Sequence, residues 1–417
     1  MRRSKKWIAM ILAGVMAFGL CGCTGKDPGG DKPRKAAEKT VCLTEGIKTG
    51  TSSCRETDEA FRKAYNTFAA GLFREARKTI GAEFISPYSA YAALAMVMNG
   101  ADGETLSAMQ NVFGLPADEL NLYLKTLADR YNVDQSVSVA NSVWLNGDFT
   151  ERVREEFLQT VADYYAAEAF AADFYDPQTR EDMNHWVEEK TLGRIQNMME
   201  QLDPVMVMVL FNCLTFDGKW ADPFEVDNTK EEDFHKGDGT VTRVQMMEGE
   251  AENYFETETY VGFSKNYEDK YYFRAYLPKE GMTASKLAET LTAEQLTNPG
   301  TYDGKAHIKM PKIKFRSEGM DLIPALRELG MGNAFGTADF SKLTKSDELI
   351  RISEVMQKTY LEIDEEGTKA AAATEVGMKC YAVAIQPIEH DVFLDQPFVY
   401  AIYDSYNDIP LFIGIYE

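Results

Sequence analysis

The stretch Ile363-Asp-Glu-Glu-Gly-Thr-Lys-Ala-Ala-Ala-Ala-Thr-Glu-Val-Gly-Met-Lys-Cys-Tyr381 carries two conflicting structural signals. Four consecutive alanines between charged residues are typical of a helix. The charges Lys369, Glu375 and Lys379, however, all fall on odd positions, and every even position from 368 to 380 is small or apolar. This two-residue period is typical of a strand with one buried face. We therefore predict a segment that can enter a β-sheet, with an ordinary surface helix as the alternative.

Composition and charge restrict the class of protein. The chain has 417 residues, of which 45% are hydrophobic and 26% are charged. These values are typical of a globular protein with a large core. The formal net charge is −22, and such an excess of acidic groups repels polyanions. We therefore exclude nucleic-acid binding.

Residues 1–22 have the features of a bacterial lipoprotein signal peptide. A basic start, Met-Arg-Arg-Ser-Lys-Lys, precedes an apolar run that is too short to span a membrane. The run ends in Leu20-Cys-Gly-Cys23, which resembles a lipobox, so we expect a lipid on Cys23, with simple secretion as the alternative. Residues 23–56 are predicted to form a flexible, lipid-anchored tether. We expect the chain to lie in the bacterial cell envelope, facing the periplasm or the extracellular space.

The spacing of cysteine and histidine residues gives no metal site. The chain contains no Cys-x-x-Cys motif and no histidine pair with the spacing of zinc ligands. Cys213 lies in an apolar run and is expected to be a core thiol. Cys42 and Cys54 lie in a polar stretch, and the sequence leaves open whether they pair. We expect no cofactor.

Helix signals dominate the first part of the chain after residue 56, and strand signals dominate the later part. Asp58 and Ser86 are predicted N-caps of two helices, and a third helix is predicted over 104–113. Further elements are predicted as strands over 137–145, 205–216, 241–247, 271–277, 307–315, 398–403 and 411–416, and as a helix over 322–329. The order indicates one α+β domain, residues 57–417.

Short sequence blocks in a fixed order resemble the serpin family from about residue 58 to the end of the chain. They are Phe84-Ile-Ser-Pro-Tyr-Ser89, Gly100-Ala-Asp-Gly-Glu-Thr105, Ala140-Asn-Ser-Val-Trp144, Asn184-His-Trp-Val187, Thr191-Leu-Gly-Arg-Ile195, Asn212 to Trp220, and Asp395-Gln-Pro-Phe-Val399. Each block alone is weak evidence for the family, but the whole set in this order is strong evidence. The resemblance implies a serpin-like single domain of class α+β, with a large central β-sheet, two further sheets, about eight or nine helices and an exposed reactive loop over about 365–390.

The alanine-rich stretch resembles the hinge of inhibitory serpins. The residues that agree with the family pattern are Glu365, Glu366, Gly367, Thr368, Ala370, Ala371, Ala372, Ala373 and Thr374. The resemblance implies a suicide-substrate inhibitor of serine proteases, or of cysteine proteases, and not an enzyme. In the family, the cleaved loop inserts into the central sheet and traps the acyl-enzyme. A non-inhibitory serpin that serves as a surface binding module or a simple protease substrate is the alternative, and an enzyme with a scattered site is a third.

Family spacing from Gly367 places the reactive-site bond between Tyr381 and Ala382. An aromatic residue before the bond favours a chymotrypsin-like or subtilisin-like target protease. Cleavage after Met378 or Lys379 is the alternative and would indicate an elastase-like or trypsin-like target. We expect the inhibitor to be a monomer.

The resemblance also implies a polar cluster that controls the opening of the central sheet. Its members here are Ser86, Ser89, Asn212, Gln357 and Trp220. Serpins usually have asparagine at the position of Ala82 and histidine at the position of Gln357. An amide both donates and accepts hydrogen bonds, so Gln357 can bond to Asn212. The two departures bear on how readily the sheet opens.

Overall fold

The computed structural model describes residues 40–417, except 51, 135, 148–151, 166, 318, 346–349 and 369–387. The described residues all fall in one compact unit, Ala37–Glu417. The predicted signal peptide and Cys23 lie outside the described residues, as do Ala370 to Thr374, Met378, Lys379, Tyr381 and Ala382. No helix among the residues that are described is long and apolar enough to cross a membrane.

Nine α-helices occur in the described part of the chain. They are α1 Glu59–Ile80, α2 Pro87–Met98, α3 Gly103–Phe113, α4 Ala117–Val133, α5 Glu155–Tyr165, α6 Pro177–Lys190, α7 Ala284–Thr290, α8 Ala293–Thr297 and α9 Ile323–Leu326. The predicted caps are present: the side chain of Asp58 accepts from the backbone N–H of Phe61, and that of Ser86 accepts from the N–H of Ser89. Capping of this kind satisfies N–H groups that lack a partner in the first turn.

The largest sheets are a six-stranded central sheet and a seven-stranded core sheet. The central sheet has the order β1-β4-β3-β5-β16-β15, with β1 Val41–Cys42, β3 Val137–Asn146, β4 Glu168–Ala172, β5 Met208–Phe216, β15 Met320–Asp321 and β16 Glu354–Gln357. The core sheet has the order β12-β9-β10-β11-β20-β21-β2, with β2 Phe84–Ile85, β9 Asn253–Glu256, β10 Tyr260–Asn266, β11 Tyr271–Pro278, β12 Thr301–Tyr302, β20 Phe398–Asp404 and β21 Ile409–Tyr416.

Two four-stranded sheets complete the described fold. The outer sheet has the order β19-β13-β8-β7, with β7 Lys230–His235, β8 Val241–Ala251, β13 Lys305–Pro311 and β19 Ile388–Phe393. The hinge sheet has the order β14-β17-β18-β6, with β6 Gly218–Lys219, β14 Ile313–Arg316, β17 Tyr360–Ile363 and β18 Gly367–Thr368. The hinge sheet continues the central sheet, because β5 leads into β6 and β16 leads into β17. One large sheet and two further sheets are therefore present, as the resemblance implied.

The central sheet separates two apolar clusters. The main core contains α1, α2 and the core sheet, and every residue of α2 is buried. A smaller cluster lies between the central sheet and α6 and includes Trp144 and Trp186. Along β5, Met208, Leu210, Leu214 and Phe216 belong to the main core, whereas Val209, Phe211 and Cys213 belong to the cluster under α6. The strand is thus buried on both faces, as its continuous apolar sequence predicted.

The fold class and most of the predicted elements are confirmed, but the strand predicted over 205–216 begins only at Met208, and two further elements differ from the prediction. The strand predicted over 307–315 is two strands in different sheets, because the chain turns after Pro311 and the N–H of Lys312 donates to the carbonyl oxygen of Gln245. The helix predicted over 322–329 is regular only in α9, since Gly330 has a φ of 110° and widens the last turns. The long helix α4 had not been predicted.

Part of the stretch predicted as a tether lies against the domain. Val41 and Cys42 pair with β4 at the edge of the central sheet, and the N–H of Gly50 donates to Asp163 on α5. Cys42 and Cys54 are free thiols. Cys213 is 1% exposed, and burial raises the pKa of its thiol to about 12. It is therefore a core thiol, as predicted.

Candidate functional site

The central sheet has an opening between β5 and β16–β17. These strands are joined over only four residue pairs, from Val209–Glu354 to Asn212–Gln357. Nearer to β6, residues 213–216 of β5 pair only with β3 among the described residues. Strand β17 pairs with β14 along the edge that faces away from β5. The two facing edges are therefore not bonded to each other over this length. We call this opening the slot.

The hinge residues Gly367 and Thr368 lie at the end of the slot next to β6, and we call this end the mouth. Gly367 and Thr368 lie opposite Lys219 and Gly218 of β6 in antiparallel register, and Thr368 also lies opposite Ile363 of β17. Thr368 is 1% exposed, and its hydroxyl is 2.7 Å from the hydroxyl of Tyr267. Gly367 and Thr368 are thus already a strand between the two edges of the slot.

Gly367 is required by the backbone at this point. Its φ is 149°, and a Cβ atom there would lie 2.1 Å from the carbonyl oxygen of Gly218. Residues other than glycine rarely adopt such a φ, and the contact would displace β6. The glycine of the hinge motif therefore allows β18 to lie directly against β6.

The segment from Trp220 to Phe224 holds the residues that precede the hinge glycine. The backbone N–H of Trp220 donates to the carbonyl of Glu366 at 2.9 Å, and its indole Nε1–H donates to the carbonyl of Asp364 at 2.9 Å. The N–H of Phe224 donates to the carbonyl of Glu365, also at 2.9 Å. The Trp220 ring stacks on Tyr267 with centroids 4.2 Å apart. Trp220 therefore contacts the hinge directly, at the end of the sheet next to β6.

The carboxylate of Glu365 is fixed by two partners. Its Oε2 lies 2.7 Å from Nζ of Lys312, and its Oε1 accepts from the hydroxyl of Thr229 at 2.8 Å. Burial favours the neutral acid, but the hydrogen bonds from Lys312 and Thr229 outweigh it and lower the pKa of Glu365 below its ordinary value. The hinge is thus tied to the body by a buried ionised carboxylate.

Gln357 closes the far end of the slot together with Ser86. Its Oε1 accepts from the N–H of Ser86 and its Nε2 donates to the carbonyl of Ser86, both at 2.9 Å. The Ser86 hydroxyl donates to the carbonyl of Leu411. The backbone of Asn212 lies opposite that of Gln357, and the Asn212 side chain lies outside the described part of the structure. Ser89 is buried beside Ser86. Trp220, which was predicted with this cluster, contacts the hinge instead.

The connection from α6 to β5, residues 191–207, contacts both edges of the slot. Arg194 donates from Nη1 to the hydroxyl of Thr215 at 3.0 Å, and its Nη2 lies 3.6 Å from Asp217. Nζ of Lys358, on the opposite edge, donates to the carbonyl of Asn197 at 3.3 Å. This connection therefore bridges the slot.

Comparison with known proteins identifies the family. A sequence model described as "Serpin (serine protease inhibitor)" matches residues 63–417. The chain belongs to the serpin family. An uncharacterized serpin-like protein of Thermococcus kodakarensis is 32% identical over 366 residues, which is 84% of each chain.

Solved serpins have the same fold. The thermophilic serpin Tengpin in its native state is 35% identical to this serpin, with a TM-score of 0.82, over 91% of this chain and 99% of Tengpin. Human thyroxine-binding globulin in complex with thyroxine is 25% identical, with a TM-score of 0.75, over 85% of this chain and 97% of the globulin. The family in general inhibits proteases, and it also contains a hormone carrier.

Several residues that shape the site of this serpin were not singled out in the sequence. Lys312, Thr229 and Tyr267 each bind a hinge residue that lies 53, 136 and 101 positions away in the chain, respectively. Lys312 and Thr229 are ordinary polar residues within charged stretches, and no local pattern distinguishes them. Their role depends on the meeting of β6, β14 and β17, which only the tertiary structure provides.

Proposed function

We propose that this serpin is a suicide-substrate inhibitor of serine proteases. The observation that carries the proposal is the position of Gly367 and Thr368, which form a strand at the mouth of the slot. A loop that begins in this way needs only to continue the same ladder in order to enter the sheet. Cleavage of the loop by a protease would free it to do so with the protease still attached.

The two registers of the hinge agree on the path of insertion. If the ladder with β6 is continued into β5, Thr374 lies opposite Asn212. If the ladder with β17 is continued into β16, Thr374 lies opposite Gln357. Asn212 and Gln357 are themselves directly paired in the closed sheet. The inserting strand would therefore separate a pair that already has matching register, and no strand would have to slide.

The same register explains the alternation of the loop. Residues that are directly opposite in a ladder point to the same face. The even loop positions would lie opposite Phe216, Leu214, Leu210 and Met208, all of which face the main core. Ala370, Ala372, Val376 and Met378 are small or apolar and fit that face. The charged odd positions would face the side of α6.

The target class and location of the inhibitor are also part of the proposal. We place the reactive-site bond at Tyr381–Ala382, which favours chymotrypsin-like or subtilisin-like proteases, with Met378 and Lys379 as the alternative cleavage positions. A lipid on Cys23 would hold the inhibitor at the bacterial cell envelope. The proposed role there is protection against proteases of a host or a competitor, and it rests on the lipobox and the tether.

A non-inhibitory role is the second candidate, because thyroxine-binding globulin is a relative with the same fold. The hinge argues against it, since no even position from Thr368 to Met378 is charged or proline. A bulky or charged residue on the core-facing side would stop insertion.

The experiment is to mix the purified protein with chymotrypsin, subtilisin, elastase and trypsin. We expect an SDS-resistant complex with at least one of them and a cleavage site, measured by mass, after Tyr381. Complete cleavage without any complex would support the non-inhibitory role. Recovery of the intact protein from the cytoplasm without a lipid would contradict the proposed location.

A further inference from the structure

A cavity of about 420 Å³ lies where α2 ends and where α3 and α5 begin. This volume is within the range of small-molecule sites, about 300–1,000 Å³. The cavity is open to the solvent, and it shares no lining residue with the slot or the hinge. Among the residues that line it are Asn99, Asp102, Arg154, Glu156, Phe157 and Lys342.

Asn99 gives the cavity a fixed wall. Its Nδ2 donates to the carbonyl of Ala95 at 3.0 Å, and its Oδ1 accepts from Nδ2 of Asn121 at 2.8 Å. The hydroxyl of Tyr165 donates to Oδ1 of Asn121 at 2.6 Å, so this network joins α2, α4 and α5. The buried Phe157 contributes an apolar part of the lining. The polar atoms of Asn99 are already bonded, and recognition of a ligand therefore depends on the charged residues of the cavity.

Arg154 is a cation whose orientation is fixed by the backbone of a neighbouring segment. Its own N–H donates to the carbonyl of Leu343 at 2.8 Å, and its Nε donates to the carbonyl of Ser341 at 2.7 Å. The side chain is partly exposed, and its two Nη groups have no hydrogen-bond partner among the described residues. Because Nε is in use, the edge formed by the two Nη groups remains, and this edge matches the two oxygens of a carboxylate.

The other charges of the cavity leave one carboxylate available. Nζ of Lys342 lies 3.1 Å from Oδ1 of Asp102, so these two charges offset each other. Glu156 lies in the first turn of α5, and its carboxylate has no hydrogen bond or ion pair within the part of the chain that the structure describes. In that part, Arg154 and Glu156 are thus opposite charges that line one cavity and do not pair with each other.

We propose that this cavity binds a small zwitterion, namely an amino acid or short peptide with a free ammonium group and a free carboxylate. The Nη edge of Arg154 binds the carboxylate, Glu156 binds the ammonium group, and Phe157 contacts an apolar side chain. A ligand with a single charge would leave either Arg154 or Glu156 without a partner. The inference does not depend on the proposed inhibition of proteases, because the cavity is separate from the slot and the hinge.

The test is isothermal titration calorimetry of the full chain with the dipeptide leucyl-glycine. Two related ligands are the controls: N-acetyl-leucyl-glycine lacks the ammonium group, and leucyl-glycinamide lacks the carboxylate. We expect the amide to bind at least about tenfold more weakly, as the loss of a hydrogen bond between charged groups would give. The acetylated dipeptide should bind about two- to fivefold more weakly, because Glu156 is exposed and exposed ion pairs contribute little.

Binding of either control ligand as tightly as leucyl-glycine would overturn the proposal. Absence of any binding at millimolar concentration would overturn it too. These comparisons use the wild type, so they test the proposal even if a variant of Arg154 does not fold.

The variants decide whether Arg154 and Glu156 form the site. Arg154→Gln should weaken the binding of leucyl-glycine as much as amidation does. Glu156→Gln should bind leucyl-glycine and its acetylated form equally, because the partner of the ammonium group is gone. Arg180→Gln, on α6 and outside the cavity, should bind as the wild type. Wild-type binding of leucyl-glycine by both Arg154→Gln and Glu156→Gln would show that the site is elsewhere and would overturn the proposal.

Discussion

Gln357 binds both backbone polar groups of Ser86, one with each end of its side-chain amide, at 2.9 Å. This contact joins the last residue of the ladder between β5 and β16 to the N-cap of the buried helix α2. The resemblance had indicated a polar cluster at this place, and the amide occupies the position where serpins usually have a histidine. The closed sheet and the core helix are therefore coupled through one side chain.

Replacement of Gln357 by leucine should destabilise the closed form. The N–H of Ser86 would lose its partner in a buried place, whereas its carbonyl would keep a bond from Ala90. We expect the free energy of unfolding to fall by about 1 to 3 kcal/mol, the cost of one unsatisfied buried donor. Urea unfolding would measure it, with the exposed Gln196→Leu as the control. Equal unfolding curves for both variants would mean that the Gln357–Ser86 bond contributes little.

A charge on the core-facing side of the loop should convert the inhibitor into a substrate. Thr368→Arg and Ala372→Glu each place a charge at an even position, and burial of an unpaired charge costs far more than the ~1.4 kcal/mol of a tenfold effect. We expect the number of inhibitor molecules consumed per protease to rise at least about tenfold on that basis. Glu375→Lys keeps a charge at an odd position and should inhibit normally. Unchanged inhibition by both even-position variants would refute insertion.

Glu354 should make stability depend on pH. It is the first residue of the ladder with β5, and its Oε2 has no hydrogen-bond partner among the described residues. Burial, with further contributions from Asp321 and Asp203, raises its pKa from 4.5 to about 7. Because the folded state prefers the neutral acid, stability is complete below pH 4.5 and is lost as the pH rises through about 7.

Glu354→Gln tests this effect, because glutamine stays neutral at every pH. Its unfolding temperature should exceed that of the wild type at a pH above 7 and equal it near the ordinary pKa of 4.5. Glu328→Gln, at an exposed position, is the matched control. A constant difference between Glu354→Gln and the wild type across this range would show that titration of Glu354 is not the cause.

Lys312 and Glu365 should be energetically coupled. Lys312→Met leaves a buried carboxylate without its cation, and we expect the free energy of unfolding to fall by about 1 to 3 kcal/mol. Lys312→Arg keeps the charge and should lose less. The double variant Lys312→Met with Glu365→Gln should lose less unfolding free energy than the two single variants lose together, as expected for residues in contact. Strictly additive losses would show that the 2.7 Å contact between Lys312 and Glu365 contributes little to stability.

Much of this fold could be predicted from the sequence, because its signals are local. The caps at Asp58 and Ser86 are set by side chains that bond within their own first turn. The alternation that begins at Thr368 reflects a strand period, and the glycine at 367 reflects a backbone angle. Each depends on a few consecutive residues. Helix α4 was missed although Leu120, Tyr123, Leu124, Leu127 and Tyr131 recur at helical spacing. The strand at Pro311 was not divided, because the turn there depends on the contact of Lys312 with the distant Gln245.

The sequence by itself determined that the stretch from Ile363 to Tyr381 has the pattern of a strand with one small and apolar face. Only the tertiary structure decided where such a strand could go. The slot exists because β5 and β16 are paired over four positions and no further. Its mouth is held by Lys312, Tyr267 and Trp220, which come from distant parts of the chain. Contacts of that kind depend on how strands meet in space, and they cannot be predicted from the residues of one segment.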